Sequence, residues 1–145
     1  MKILSKEYIY EHGIDIDDIG YDPLLAIYVI MDTDIPYTGI GYSKYDDDEM
    51  ESYSFYKNGY EDGEEAKFYP SGKIMSWNNF GSDSKKGESR EWYENGILMR
   101  MGKFDGNVRL EYNIWDQNGN LIEKMKKPTG DDIRRMKKIV KEINQ

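Results

Sequence analysis

The chain contains no cysteine, a single histidine, four prolines and no apolar run longer than eight of its 145 residues. Without cysteine there is no disulfide, no thiolate metal ligand and no cysteine nucleophile, a composition suited to a reducing cytosol. The one histidine, His12, has no nucleophile signature near it, and neither a Gly-x-Ser-x-Gly elbow nor a phosphate loop occurs. No spacing singles out a carboxylate pair for glycoside hydrolysis. Catalysis is therefore not expected, nor is a cofactor. The amino terminus, MKILSKEYIYEHGIDID, lacks the uninterrupted apolar core of a signal peptide, and no run approaches the ~20 residues of a membrane-spanning helix. A cytoplasmic protein with no membrane association is expected.

What the chain does have is tyrosine, thirteen of them, and an excess of acid that gives a net charge of −8. So aromatic a chain is not a disordered acidic one. At this length one domain is the default, and such a chain buries roughly 68% of its unfolded surface. An apolar share of 38% argues for a thin, largely solvated sheet. The charge is unevenly spread. Residues 46–65 hold nine acids (Asp46, Asp47, Asp48, Glu49, Glu51, Glu61, Asp62, Glu64 and Glu65) against one base, Lys57. The stretch 120–145 is basic. An acidic sheet is repelled by nucleic acid and by anionic membranes and is suited to a basic partner.

The strongest pattern is a repeat. A glycine is followed six residues later by a tyrosine at Gly39/Tyr45, Gly63/Tyr69, Gly87/Tyr93 and Gly106/Tyr112, with starts stepping by 24, 24 and 19. Such a period marks one structural unit copied along the chain. The second and third copies, GEEAKFYPSGKIMSW and GESREWYENGILMRM, share the form G-x5-Y-x2-G. In the fourth, four extra residues delay the second glycine to Gly119; in the first, Asp48 stands in its place. Each unit reads as a β-hairpin, with Pro70-Ser71-Gly72, Glu94-Asn95-Gly96 and Gln117-Asn118-Gly119 supplying turn chemistry and Asn58-Gly59 a further turn signal. The runs that follow alternate with a strand period, as in Tyr53-Ser54-Phe55 and Met75-Ser76-Trp77. Aligned copies set tyrosine beside tyrosine, chiefly a structural use of aromatics.

The expected fold is mainly β, an antiparallel meander of about four repeated hairpins, with an amphipathic helix at the carboxyl end. Residues 1–36 form an amino-terminal segment. Within it Ser5–His12 is helix or strand, 15–22 is a loop or short helix, and the apolar run Leu24–Met31 reads as one buried strand. The hairpins span 37–124. A helix over 129–145 would be capped by Thr129, with Asp131 and Asp132 in its first turn and an apolar stripe of Ile133, Met136, Val140 and Ile143. Such a helix would close the last repeat, whose edge strand otherwise invites pairing.

Tyr37-Thr-Gly39, Tyr56-Lys-Asn-Gly59, Asp62-Gly63, Phe68-Tyr-Pro-Ser-Gly-Lys-Ile74 and Trp92-Tyr-Glu-Asn-Gly-Ile-Leu98 resemble the bacterial variant of the MORN repeat and, more closely, YwqK-type antitoxin or immunity proteins. The resemblance covers about residues 37–124. It implies an antiparallel meander in the cytosol that binds and neutralises a cognate toxin. A toxin domain with a basic cleft, a nuclease among the candidates, would suit an acidic, tyrosine-rich surface. The expected contact residues are Tyr42, Tyr45, Asp46, Asp47, Asp48, Glu49, Glu51, Tyr53, Tyr56, Tyr60, Glu61 and Asp62. The Asp46–Glu49 run lacks the alternating ligands and central glycine of a calcium loop, so it reads as a solvated turn or partner patch rather than a metal site. The alternative reading is a repeat scaffold that joins cellular proteins and has no toxin as its target.

Overall fold

A computed structural model describes residues 1–125 and 130–143, apart from the side chains of Asp132 and Met136. In chain order the elements are helix α1 (Lys6–His12), β1 (Gly13–Asp15), a 3-10 turn (Ile16–Asp18), β2 (Ile19–Asp22) and β3 (Ile27–Ile30). Eight longer strands then follow as four hairpins: β4 (Gly39–Lys44) with β5 (Met50–Lys57), β6 (Tyr60–Phe68) with β7 (Ile74–Gly81), β8 (Ser84–Trp92) with β9 (Leu98–Asp105), and β10 (Val108–Trp115) with β11 (Leu121–Met125). Helix α2 (Gly130–Ile143) closes the chain. Among the described residues, nine strands make one sheet in the order β1-β4-β5-β6-β7-β8-β9-β10-β11, antiparallel except for the β1–β4 pair, and β2–β3 form a separate ribbon. The expected meander of four hairpins with a carboxyl-terminal helix is the fold.

Turn chemistry differs at the two ends of the sheet. At one end the strands are joined by two-residue turns with both residues at positive φ: Asn58 (51°) and Gly59 (86°), Ser82 (48°) and Asp83 (68°), Gly106 (60°) and Asn107 (68°). Two left-handed residues in succession make the I′ turn, whose twist matches that of the flanking strands. At the other end the turns are longer and each has one residue at positive φ: Asp48 (66°), Gly72 (87°), Gly96 (88°) and Gly119 (86°). In all four the amide of that residue donates to the carbonyl three positions back, at Tyr45, Tyr69, Tyr93 and Asp116. Asp48 is thus the structural equivalent of the turn glycines. Aspartate is among the few residues that tolerate this conformation.

The same turns correct the alignment of the fourth copy. The I′ turns begin at 58, 82 and 106, and the long turns place their left-handed residue at 48, 72, 96 and 119. The structural step is therefore 24, 24 and 23, not 24, 24 and 19. Gly106 belongs to an I′ turn, and the counterpart of Tyr45, Tyr69 and Tyr93 is Asp116 rather than Tyr112. The missing residue is traceable to a bulge. One residue of β5, Phe55, faces three of β6, and Asn79 of β7 faces three of β8, in the stretches that carry Gly63 and Gly87. In β10 the corresponding shift accommodates a single extra residue, Leu110.

Two hydrogen-bond ladders lock unit to unit at this spacing. Along the long-turn end, the hydroxyls of Tyr45, Tyr69 and Tyr93 donate to the carbonyls of Phe68, Trp92 and Trp115 at 2.6, 2.7 and 2.9 Å. Along the I′ end, the amides of Gly59, Asp83 and Asn107 donate to the carbonyls of Tyr37, Glu61 and Lys85. The side chains of Asp83 and Asn107 accept from the amides of Glu61 and Lys85 in return, at 2.6 and 2.8 Å.

The amino-terminal segment wraps the first half of the sheet. Ser5 caps α1 by accepting from the amide of Tyr8, and the chain leaves the helix at Gly13 to run beside β4. Ile9, wholly buried, packs on one face with Ile40, Met50, Tyr53, Ala66 and Trp77, a burial that contributes roughly 1.5–3 kcal/mol for such a side chain. Ile19 and Tyr37 pack on the opposite face against Tyr56. The run Leu24–Met31 is not one buried strand. Asp22 accepts from the amides of Leu24 and Leu25 at 2.9 and 3.2 Å, which together with Pro23 curls the first half into a turn. Leu24 is left 94% exposed, and only Ile27–Ile30 is strand. Likewise 15–22, expected as loop or short helix, supplies both the 3-10 turn and strand β2.

Helix α2 packs against β10. Its Ile139 lies beside Gly106 and Val108, while Ile133, Val140 and Ile143 of the expected stripe are exposed. Ile139, which the expected stripe left out, packs on the sheet, and Val140 and Ile143 line the same groove. The proposed cap Thr129 and the Met136 side chain lie outside the described residues.

Candidate functional site

The structure divides the twelve expected contact residues rather than assembling them. Asp46, Asp47, Asp48 and Glu49 form the long turn after β4, with Glu51 beside it. Tyr60, Glu61 and Asp62 open β6 at the I′ end. The eight residues of β5 separate the groups, about 26 Å at 3.3 Å per residue. One continuous acidic surface over 46–65 therefore does not form. Tyr53 and Tyr56 are corrected outright: they are 0% and 6% exposed and belong to the two core clusters. Their strand alternation, read as surface aromatics, faces the two layers that the amino-terminal segment supplies. The Tyr53 hydroxyl accepts from the amide of Leu4 at 3.1 Å. Tyr42 is half-buried, edge-on to Tyr10 at 5.0 Å. Tyr45 commits its hydroxyl to the ladder.

The acidic turn itself is exposed. Asp47 accepts from the amide of Glu49 at 3.1 Å, and Glu49 pairs with Lys6 at 3.1 Å. The Glu49 carboxylate holds the Lys6 ammonium above its ordinary pKa. Among the described residues Asp46, Asp47 and Asp48 have no cationic partner. No group of three or more histidine, aspartate or glutamate side chains is arranged to hold a metal ion among the described residues.

The second acidic group is more constrained. Glu61 lies half-buried beside Tyr28 and Tyr56. Its carboxyl is raised above the usual glutamate range, first by burial and then by the carboxylates of Glu65 and Asp83, with Lys67 and the Ser54 hydroxyl opposing. Burial, aided by Glu61, likewise pushes up the hydroxyls of Tyr28 and Tyr56.

From Glu61 a polar strip crosses one face of the sheet. The pairing register sets Gly41, Ser54, Glu65, Asn78, Ser89, Gly102 and Tyr112 side by side. Ser54, Asn78 and Ser89 are buried. Ser89 donates to Asn78, which donates to Glu65 at 3.0 Å. Buried polar groups of this kind are stable only when bonded to one another.

Beyond Ser89 the same face changes sign. Lys85, Arg100, Arg109 and Arg135 of α2 line a cavity of about 350 Å³ together with Ser89, Gly102, Phe104 and Tyr112. Lys85 lies 5.2 Å from the Phe104 ring centroid and Arg109 4.2 Å from that of Tyr112. Sequence reasoning missed this site because net charge and the 46–65 run dominated. The signal was present at the structural period: Glu61, Lys85 and Arg109 are 24 residues apart and follow successive I′ turns. One position of the repeat is thus an acid in the second unit and a base in the third and fourth.

Comparison of the chain with protein-family models, with curated proteins and with solved structures found no match. Among the described residues no helix is long and apolar enough to cross a membrane.

Proposed function

We propose that the protein is an immunity protein or antitoxin that binds and neutralises a cognate toxin with a basic surface. The observation that carries this reading is the turn Asp46-Asp47-Asp48, three exposed carboxylates on a hairpin of the sheet, with no cationic partner among the described residues. Unpaired like charges on a fixed scaffold steer an oppositely charged partner and raise its association rate. The half-buried rings of Tyr42 and Tyr45 flank them and can add apolar contact. The contact surface is accordingly redrawn: it holds Asp46–Glu49, Glu51, Tyr42 and Tyr45, without Tyr53 and Tyr56.

The test is isolation of the stoichiometric partner from the native host, assay of its toxicity, and measurement of its binding to the double variant Asp46→Lys/Asp47→Lys. Association should slow by about tenfold or more at low salt, and its salt dependence should weaken. A toxic partner that binds the variant at the wild-type rate removes this surface from the reading. A partner that is not toxic favours the repeat scaffold instead.

A further inference from the structure

We propose that the cavity on the polar face is a binding site for a small phosphorylated anion, held by Lys85, Arg100, Arg109 and Arg135. This goes beyond toxin binding and does not depend on it.

Four basic side chains line the cavity; Arg90, also in its wall, is paired with Glu88 at 3.2 Å, and among the described residues the only acid in the wall, Glu91, is already paired with Arg100 at 3.0 Å. In a chain of net charge −8, gathering like charges in a concave wall is unfavourable by itself, since they repel and the low-dielectric wall strengthens that repulsion. A bound anion removes the conflict. Two of the bases are held in place by packing and, among the described residues, have no counter-ion. Arg109 lies against the Tyr112 ring and Lys85 against the Phe104 ring, cation–π contacts that fix the side chain and leave its N–H groups able to donate. Among the described residues the Nε of Arg109 is buried without a hydrogen-bond partner. An orphan donor in a cavity wall is an uncommon feature that a ligand can satisfy.

The remaining wall fits the same occupant. Gly102 gives the cavity a floor without a side chain; a Cβ there would approach the Glu111 carbonyl to 3.0 Å and the Phe104 ring and the Tyr112 Cβ to 3.5 Å. The volume is at the small end of ligand pockets, which run from about 300 to 1,000 Å³. Guanidinium forks arranged around one point match the several oxygens of a phosphoryl group better than the single plane of a carboxylate, and lysine adds a point charge.

The probe is pyrophosphate, titrated into the full chain at low ionic strength by calorimetry and followed by amide chemical shifts. The expected result is saturable one-to-one binding with a dissociation constant of about 1–100 μM, with the largest shifts at Lys85, Gly102 and Arg109. Arg109→Gln and Lys85→Gln should each weaken it by about tenfold, the loss of one charge-assisted contact. Lys103→Gln, a charge removal on the opposite face, should leave it unchanged. Urea midpoints of each variant identify any that fail to fold; Arg135→Gln, an exposed residue of α2 that also lines the cavity, then takes the place of that variant. The phosphoryl group can belong to a soluble metabolite or to a lipid headgroup. Recruitment to vesicles carrying phosphorylated headgroups, reversed by pyrophosphate, assigns it to a lipid; pyrophosphate binding without recruitment assigns it to a soluble ligand. Absence of saturable binding, or shifts spread equally over lysines of both faces, overturns the proposal. So does wild-type affinity in both Arg109→Gln and Lys85→Gln.

Discussion

The hydroxyl of Tyr69 donates to the backbone carbonyl of Trp92 across 2.7 Å, linking the second unit to the third at the point where each strand enters its long turn. Tyr45 and Tyr93 make the same bond one unit before and after. In the fourth unit the position is Asp116, whose carboxylate instead accepts from the amides of Asn118 and Asn120 at 2.9 Å and folds its own turn. Those amides hold its carboxyl below the usual aspartate range. Among the described residues the tyrosine ladder therefore ends with the fourth hairpin, after which helix α2 is the next element.

Tyr69→Phe keeps the ring and removes only the hydroxyl. It should destabilise the protein by about 1–1.5 kcal/mol, the net worth of one hydrogen bond with part of the desolvation cost of the carbonyl left behind. Urea denaturation measures it. Tyr93→Phe should cost a similar amount, because its acceptor is again a strand-end carbonyl. A loss of under a few tenths of a kcal/mol in both would mean that water replaces the hydroxyl and the ladder contributes little.

Asp48→Gly separates the two uses of this residue. The native φ of 66° is one that glycine adopts freely, as Gly72 and Gly96 do in the equivalent turns. Left-handed strain of about 1 kcal/mol is relieved, and most of that gain is offset by the greater entropy of a glycine in the unfolded chain. Stability should change by less than about 1 kcal/mol, while one carboxylate leaves the acidic turn. Partner association should slow by about twofold or more at low salt. Greatly reduced stability would show that the carboxylate, rather than the backbone conformation, holds this turn.

Much of the fold was legible because its cause is local. Period, turn residues and strand alternation all depend on neighbours in the chain, so the four hairpins could be read from Gly72, Gly96, Gly119 and Asn58-Gly59. The layer that 1–36 adds was not, because covering a sheet is a long-range event. Nothing near Tyr53 or Tyr56 in sequence shows that Ile9 and Ile19 will bury them. Asp22 likewise changes the course of Leu24 and Leu25 through two hydrogen bonds that hydropathy does not register. The basic cavity was hidden by a misplaced alignment. Matching Gly106 to Gly87 conceals that Lys85 and Arg109 occupy one repeat position, whereas matching the I′ turns reveals it.

Glu61→Gln tests the half-buried acidic group. The Glu61 carboxyl titrates above its unfolded value, so between the two pKa values the folded state binds more protons than the unfolded one. Stability then falls as pH rises through that window and stays reduced above it. Glutamine removes the charge and keeps the shape. The variant should therefore be more stable than the wild type at about pH 7. Its advantage should shrink as the pH falls and vanish below about 4.3, the ordinary glutamate value. Thermal midpoints across this range decide it. A variant less stable than the wild type at neutral pH would mean that Lys67 and Ser54 hold the carboxylate favourably and outweigh its burial.

Gly59 and Gly72 form a natural pair for separating backbone strain from lack of space. Their φ values are 86° and 87°. At Gly72 an added Cβ meets nothing within 4 Å; at Gly59 it comes within 2.6 Å of the Ile27 Cβ and 2.9 Å of the Tyr28 carbonyl. Gly72→Ala should thus cost only the left-handed penalty, about 1–2 kcal/mol. Gly59→Ala should cost that amount plus about 1–3 kcal/mol for overpacking. The extra loss should also be local. Gly59 donates to the Tyr37 carbonyl and accepts from the Tyr28 amide at 2.9 and 2.8 Å, so it fastens the β2–β3 ribbon to the sheet. Hydrogen exchange at Tyr28 should accelerate in Gly59→Ala and remain as in the wild type in Gly72→Ala. Equal stability losses in the two variants, with Tyr28 protected in both, would show that the ribbon moves aside without cost and that the close approach at Gly59 does not fix its position.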